Sequence, residues 1–122
     1  MNYLKNLVRE SKRAAELIEC LDKIGSTVHL EQMVGGAYSL YAAHTIEQRG
    51  GIHIMLAEDR DRAAYLVNDL YELLDKERVE FFASGYKRSV AYNAEDAQGV
   101  VRRTAALRAI SNFKSGYLVV CT

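Results

Sequence analysis

The chain has 122 residues, of which 49% are apolar and 26% are charged, and these values are typical of a single globular domain. Sixteen basic residues balance sixteen acidic ones, so the overall charge gives no argument for binding to nucleic acid or to a membrane surface. The N-terminus predicts a charged helix and no secretory signal, and no apolar run approaches the ~20 residues of a membrane span. We therefore expect a cytoplasmic protein with no membrane partner.

The N-terminal segment predicts an amphipathic helix. Apolar residues recur at helical spacing between residues 3 and 24, which favours a helix with one buried face. Ser11 is a candidate N-cap, so the pattern fits either one bent helix or two short ones. Gly25 ends it. We assign residues 1–25 to an N-terminal helical segment and residues 26–122 to an α/β subdomain.

Beyond Gly25, extended and helical patterns alternate. This alternation predicts an α/β fold in which about four parallel strands form the middle of three layers, with helices on both sides. Asp59 is the predicted N-cap of the second helix after Gly25. The predicted strands are Thr27–Gln32, Ile52–Ala57, Val79–Ala83 and Tyr117–Val120, the predicted helices are Ala37–Arg49, Arg60–Lys76 and Glu95–Ile110, and residues 84–93 are a predicted loop.

The last predicted strand has no helix after it. A central strand of a parallel sheet is normally covered on both faces, and a following helix usually supplies part of that cover. We therefore expect the chain to be a fragment of a longer protein. An open reading frame that stops at Thr122 would contradict this expectation.

The glycine turn, by which we mean residues 34–40, occupies the position of a phosphate-binding loop between a predicted strand and a predicted helix. A working P-loop ends in glycine, lysine and Ser/Thr, which approach phosphate closely, neutralise its charge and bind Mg²⁺. Here Tyr38, Ser39 and Leu40 fill these three positions, and none of them can do this chemistry. We expect no ATP binding and no catalysis by this chain. The residues of the turn are Val34, Gly35, Gly36, Ala37, Tyr38, Ser39 and Leu40.

Two interpretations of the glycine turn remain open on spacing alone. The first is a plain strand-to-helix turn, because adjacent glycines are common in turns. The second is a dinucleotide site, in which Gly35 and Gly36 would approach a pyrophosphate and Asp59 would bind a ribose hydroxyl. The chain lacks the GxGxxG pattern of such sites, and Asp59 is already explained as a helix cap.

Five aromatic or basic residues are candidate contacts to DNA or to a neighbouring domain. Tyr86, Lys87 and Arg88 follow one another in a predicted loop, a mixture that suits contact with a nucleic-acid backbone. Arg102 and Arg103 lie on the last predicted helix. The alternatives are a solvated loop or one docked on another domain, and surface ion pairs for the arginines.

Metal binding is not expected from the histidines and cysteines. His29, His44 and His53 are scattered over different predicted elements and show no metal-ligand spacing. Cys20 and Cys121 form no CxxC pair, and we expect two reduced, mostly buried thiols.

The order of several segments resembles a known family, the N-terminal region of the bacterial transcription-repair coupling factors (the Mfd family), which is itself similar to the excision-repair protein UvrB. The resemblance extends from about Val28 to Thr122. Its most specific parts are the glycine turn and the run Glu-Phe-Phe-Ala-Ser-Gly-Tyr, which begins at Glu80. The matching segments are the glycine turn, Ile52–Ala57, Asp59–Leu70, Val79–Arg88 and Arg102–Leu107.

This resemblance implies a fold and a function that spacing alone could not give. The fold would be a partial RecA-like or P-loop-like domain, similar to the first domain of UvrB, that has lost ATP binding. The parent would be an ATP-dependent, helicase-like DNA translocase that releases stalled RNA polymerase and recruits UvrA for nucleotide-excision repair. ATP and Mg²⁺ would bind in its motor domains, and UvrA mainly outside this chain.

Within such a parent, the chain would be a scaffold whose partners are the neighbouring domains. The stretch from Tyr86 to Asp96 is too short for the DNA-clamping hairpin of UvrB, so the resemblance does not extend to lesion verification.

Overall fold

A computed structural model describes residues 2–82 and 97–122. In these residues the chain begins with three helices, after which strands and helices alternate and the last element is a strand. The elements are α1 (Asn2–Arg9), α2 (Lys12–Leu21), α3 (Ala37–Arg49), β1 (Gly51–Met55), α4 (Arg60–Leu73), a 3-10 turn (Lys76–Arg78), β2 (Val79–Phe81), α5 (Ala97–Ser111) and β3 (Tyr117–Cys121).

The sheet is parallel and has the strand order β1-β3-β2. Helices α3 and α4 pack on one face and α5 packs on the other. The larger core, beneath α3 and α4, contains Ala43, Ile46, Leu66, Val67, Leu70, Leu73, Leu74, Val79, Val119 and Cys121. The smaller core, beneath α5, contains Ala106, Leu118 and Val120. The prediction of an α/β fold with a parallel sheet between helices is confirmed.

The predicted number of strands is wrong, because the sheet has three strands and not four. Residues 27–32 form no strand, and no backbone–backbone hydrogen bond among the described residues involves residues 27–33. Gln32 interrupts the extended conformation with a φ of 61°. Strand propensity largely reflects how well a residue fits a paired, half-buried surface, and here residues 27–32 have no neighbouring strand to pair with.

The helix boundaries follow the capping residues. Ser11 has an extended backbone and its hydroxyl accepts a 3.5 Å hydrogen bond from the N–H of Ala14, so the N-terminal segment forms two helices. Gly50 and Gly51 have φ values of 64° and 82°, which suit glycine, and they end α3 and begin β1. Asp59 caps α4, as predicted.

The N-terminal helices are attached to α3. Both α1 and α2 pack against it, and the Lys5 ammonium donates 2.7 Å hydrogen bonds to Glu47 on α3 and to the carbonyl of Leu73 on α4. Arg49 at the end of α3 forms an ion pair with Asp22. The N-terminal helical segment is therefore held against the helix that follows the glycine turn.

The central strand β3 is buried without any helix after it. Val119 and Cys121 are fully buried beneath α3 and α4, while Leu118 and Val120 are buried beneath α5. The expectation that β3 would need a following helix as cover is wrong, because α5, which precedes it in the chain, covers that face. Among the described residues, the strand with an exposed face is β1.

Candidate functional site

The backbone of the glycine turn forms an open connection into α3. Gly35 has a φ of 60°, and Gly36 is the N-cap residue of α3, with its carbonyl accepting a 3.1 Å hydrogen bond from the N–H of Leu40. A Cβ atom added at Gly35 or Gly36 would meet no atom of the chain within 4 Å. Glycine at position 35 is thus explained by its backbone conformation and not by close packing.

Among the described residues, no strand precedes the glycine turn, so the predicted strand–turn–helix context of a P-loop is not found. Ser39, which the sequence pattern aligns with the P-loop lysine, is buried in the interior of the fold. Only 5% of it is exposed, and its hydroxyl donates a 2.7 Å hydrogen bond to Oδ2 of Asp69 on α4. This bond satisfies a polar group that would be costly to bury without a partner. The side chain therefore links α3 to α4.

The two neighbouring residues, Leu40 and Tyr38, differ in their burial. Leu40, at the position of the Mg²⁺-binding hydroxyl, packs against the larger core. Tyr38, at the position of the last P-loop glycine, is 42% exposed; partial burial raises the pKa of its phenol, and the proximity of Cys121 raises it further. The three residues that the sequence pattern aligns with a P-loop are thus an exposed phenol, a hydroxyl bonded within the fold and a leucine packed against the core.

A cavity of about 500 Å³ lies next to the glycine turn, between α2, α3 and the irregular residues 28–33. Its lining includes Cys20, His29, Met33, Ala37 and Tyr41.

Cys20 is exposed, whereas Cys121 is buried, and both are free thiols. The expectation of two buried thiols therefore holds for Cys121 only.

The residues proposed for a dinucleotide site have local structural roles. The Asp59 carboxylate accepts a 2.8 Å hydrogen bond from the N–H of Arg62 and thereby caps α4.

Among the histidines, His53 forms a 2.8 Å hydrogen bond with the carbonyl of Gly50. In the part of the chain that the structure describes, no group of three or more His, Cys, Asp or Glu residues could hold a metal ion.

The basic candidates are only partly described. Tyr86, Lys87 and Arg88 lie outside the described residues. The Arg102 guanidinium lies 5.7 Å from the centre of the Phe81 ring, beside a cleft of about 300 Å³ between α4 and α5. Arg103 does not line this cleft.

Arg60 was not among the sequence candidates, yet it lines the same cleft as Arg102, together with Asn68 and Gln98. The cleft lies at the carboxyl end of β2, where open α/β sheets usually bind ligands. The signal was present in the sequence, because Arg60 begins the helix that follows the carboxyl end of β1.

Comparison of the chain with protein-family models, with curated proteins and with solved structures gave no match. None of the described helices is both long and apolar enough to cross a membrane.

Proposed function

We propose that this chain is a non-catalytic scaffold module from the N-terminal region of a bacterial transcription-repair coupling factor. The observation that carries the proposal is that Ser39 is bonded to Asp69 and Leu40 packs against the core, at the two positions that the resemblance aligns with the nucleotide- and metal-binding residues of a P-loop. The order of the segments around the turn supports the same family. The role of the turn is then to join residues 26–34 to α3.

The proposal assigns the chemistry to other parts of the parent protein. The parent hydrolyses ATP with Mg²⁺ in its motor domains, moves along DNA, releases stalled RNA polymerase and recruits UvrA, all in the cytoplasm. This chain contributes a partial, RecA-like domain and contacts the neighbouring domains. It needs no cofactor of its own.

The gene provides the test of this proposal. We expect the open reading frame to continue beyond Thr122 and to encode helicase motifs with an intact Walker A sequence. A continuation without such motifs, or a stop codon after Thr122, would contradict the proposal.

A second candidate function is contact with DNA, and the cleft between α4 and α5 favours it. Arg60 and Arg102 give its lining two positive charges, and none of the described lining residues is acidic. Phosphate contacts by arginine make binding salt-dependent. Salt dependence is measured as the slope of the logarithm of the duplex-binding constant against the logarithm of the salt concentration. On this hypothesis Arg60→Ala and Arg102→Ala each reduce the magnitude of that slope by about one.

The matched control for this experiment is Arg13→Ala, because Arg13 is an exposed arginine on α2, outside the cleft. The DNA hypothesis predicts that this control leaves duplex binding unchanged. Equal salt slopes in the three variants and the unaltered chain would contradict the DNA hypothesis.

A further inference from the structure

Among residues 2–82 and 97–122, helices cover strand β1 on one face only. Ile52, Ile54 and Leu56, which lie on alternate positions in and just after β1, are 41%, 65% and 77% exposed. Parallel sheets normally bury both faces beneath helices. Three large aliphatic side chains on one face of a parallel strand therefore indicate a surface that another element covers.

The exposed face is the one on which α5 packs. In the parallel register, Ile52 lies beside Leu118 and Ile54 beside Val120, and Leu118 and Val120 belong to the core beneath α5. Side chains of neighbouring residues in register point to the same face of a sheet. The three exposed aliphatic residues thus continue the α5 face of the sheet sideways, past β3.

Helix α5 borders this uncovered area. It packs against β2 and β3, and its Arg102 lies over Phe81 on β2, the strand farthest from β1. Leu107 lies about 140° around the helix from Arg102 at 100° per residue, so it faces the β1 side. Val100, one heptad before Leu107, lies on the same side, and both are exposed.

We call this area the β1 hollow and define it by its aliphatic residues. Strand β1 forms its floor and α5 forms one wall. Its residues are Ile52, Ile54, Leu56, Val100 and Leu107.

The outer edge of β1 is also available. Among residues 2–82 and 97–122, β1 pairs with β3 alone. The N–H of Gly51 donates to the carbonyl of Gly116, just before β3, and the N–H of Ala57 donates to the carbonyl of Thr122, just after it. Because backbone groups alternate in direction along a strand, the N–H groups of Ile52, Ile54 and Leu56 point to the free edge. An unpaired edge of this kind is a template for a further strand.

The handedness of the fold determines over which face of the sheet a continuation of the chain from β3 would cross. From β1 to β2 the chain crosses the sheet in one direction over the α4 face, and from β2 to β3 it returns in the other direction over the α5 face. Parallel crossovers are right-handed in about 98% of cases. A crossover from β3 to a strand beyond β1 has the same direction as the β2-to-β3 crossover, so it must run over the α5 face. Its helix would lie on the β1 hollow.

We propose that the β1 hollow receives an amphipathic helix, and that the free edge of β1 receives a parallel strand, both supplied by a continuation of this chain beyond Thr122. The helix presents aliphatic side chains to the hollow. This proposal goes beyond the proposed function, since it requires a continuation of the chain and not that the parent is a coupling factor.

Hydrogen exchange at three amides tests the proposal. The amides of Ile52, Ile54 and Leu56 are compared in the 122-residue chain and in the product of the complete open reading frame. We expect exchange to be slower by about tenfold or more in the longer protein, because a paired edge is protected. Equal rates in the two proteins would overturn the proposal, as would a reading frame that stops at Thr122.

The outcomes separate this proposal from the proposed function. Slower exchange in a longer protein without helicase motifs would support the proposed cover of the β1 hollow and contradict the coupling-factor proposal. Equal exchange rates in a longer protein that has those motifs would support the coupling-factor proposal and contradict the proposed cover. Protection that rises with concentration in the 122-residue chain would show that a second copy binds there, and would also overturn the proposal.

A pair of substitutions gives a second measurement. Ile54→Asp places a charge in the β1 hollow, and Ile24→Asp places the same charge on a fully exposed isoleucine outside the sheet. In the 122-residue chain we expect neither to lower Tm by more than about 2 °C, since both side chains are exposed. In the longer protein we expect Ile54→Asp alone to lower Tm by about 5 °C or more, because the charge would be buried. Equal effects of the two in the longer protein would contradict the proposal.

Discussion

The hydrogen bond between Ser39 and Asp69 tests whether the start of α3 is part of the architecture. In Ser39→Ala the 2.7 Å bond to the Asp69 carboxylate is lost. A hydrogen bond to a charged group contributes about 1.5–3 kcal/mol. Asp69 is exposed and regains water in the variant, so we expect the free energy of unfolding to fall by about 1 kcal/mol. For a chain of this length that corresponds to a loss of about 4 °C in Tm.

A double-mutant cycle isolates the bond from other effects of the substitution. Ser39→Ala, Asp69→Ala and the double variant are unfolded in urea and by heat, with helix content followed by circular dichroism. We expect a coupling energy of about 1 kcal/mol between the two positions. The control is Ser111→Ala, an exposed serine at the end of α5, for which we expect a change within about 0.5 kcal/mol. A Ser39→Ala variant as stable as the control, with no coupling to Asp69, would refute the reasoning.

Four further predictions concern the core, a helix cap and, for the last two, the thiols. Leu70 is fully buried in the larger core, so Leu70→Ala should lower the free energy of unfolding by about 2–5 kcal/mol in urea titration; a smaller loss would contradict the observed packing. Asp59→Ala removes the cap of α4 and should cost about 1 kcal/mol, while Asp59→Asn, which keeps an acceptor oxygen, should cost less. Burial raises the pKa of the Cys121 thiol from 9.0 to about 12. The thiol therefore loses its proton at a lower pH in the unfolded chain than in the folded one. Its contribution to the free energy of unfolding is fully present below pH 9 and is lost as the pH rises towards 12. In the same structure a thiol reagent at pH 8 should modify Cys20 quickly and Cys121 only after unfolding; rapid modification of both would contradict the burial of Cys121.

Most of the elements could be predicted because they have local signals. Helix α3 has the predicted bounds since glycines flank it on both sides, and Asp59 marks the start of α4 by its capping chemistry. The extended residues 27–32 could not be assigned correctly, because strand formation depends on a partner strand elsewhere in the chain. Their composition is that of a strand, but no other described segment pairs with them.

The candidate site was predictable in its chemistry but not in its contacts. The sequence alone indicates that Tyr38, Ser39 and Leu40 cannot bind phosphate or Mg²⁺. The bond from Ser39 to Asp69 was missed, although a signal existed: Ser39, Ala43 and Ile46 share one face of α3 at helical spacing, and a polar residue on a buried face needs a partner. Which residue supplies that partner depends on how α3 packs against α4, and periodicity does not specify this.

The central claim is that the glycine turn connects the chain into α3 and binds no nucleotide. Calorimetric titration of the 122-residue chain with ATP and Mg²⁺ tests it most directly, with an active P-loop ATPase titrated in parallel as the positive control. The account predicts no binding heat for this chain above that of dilution. Saturable binding with a micromolar Kd would contradict it, and all the more so if Ser39→Ala or Tyr38→Ala weakened that binding.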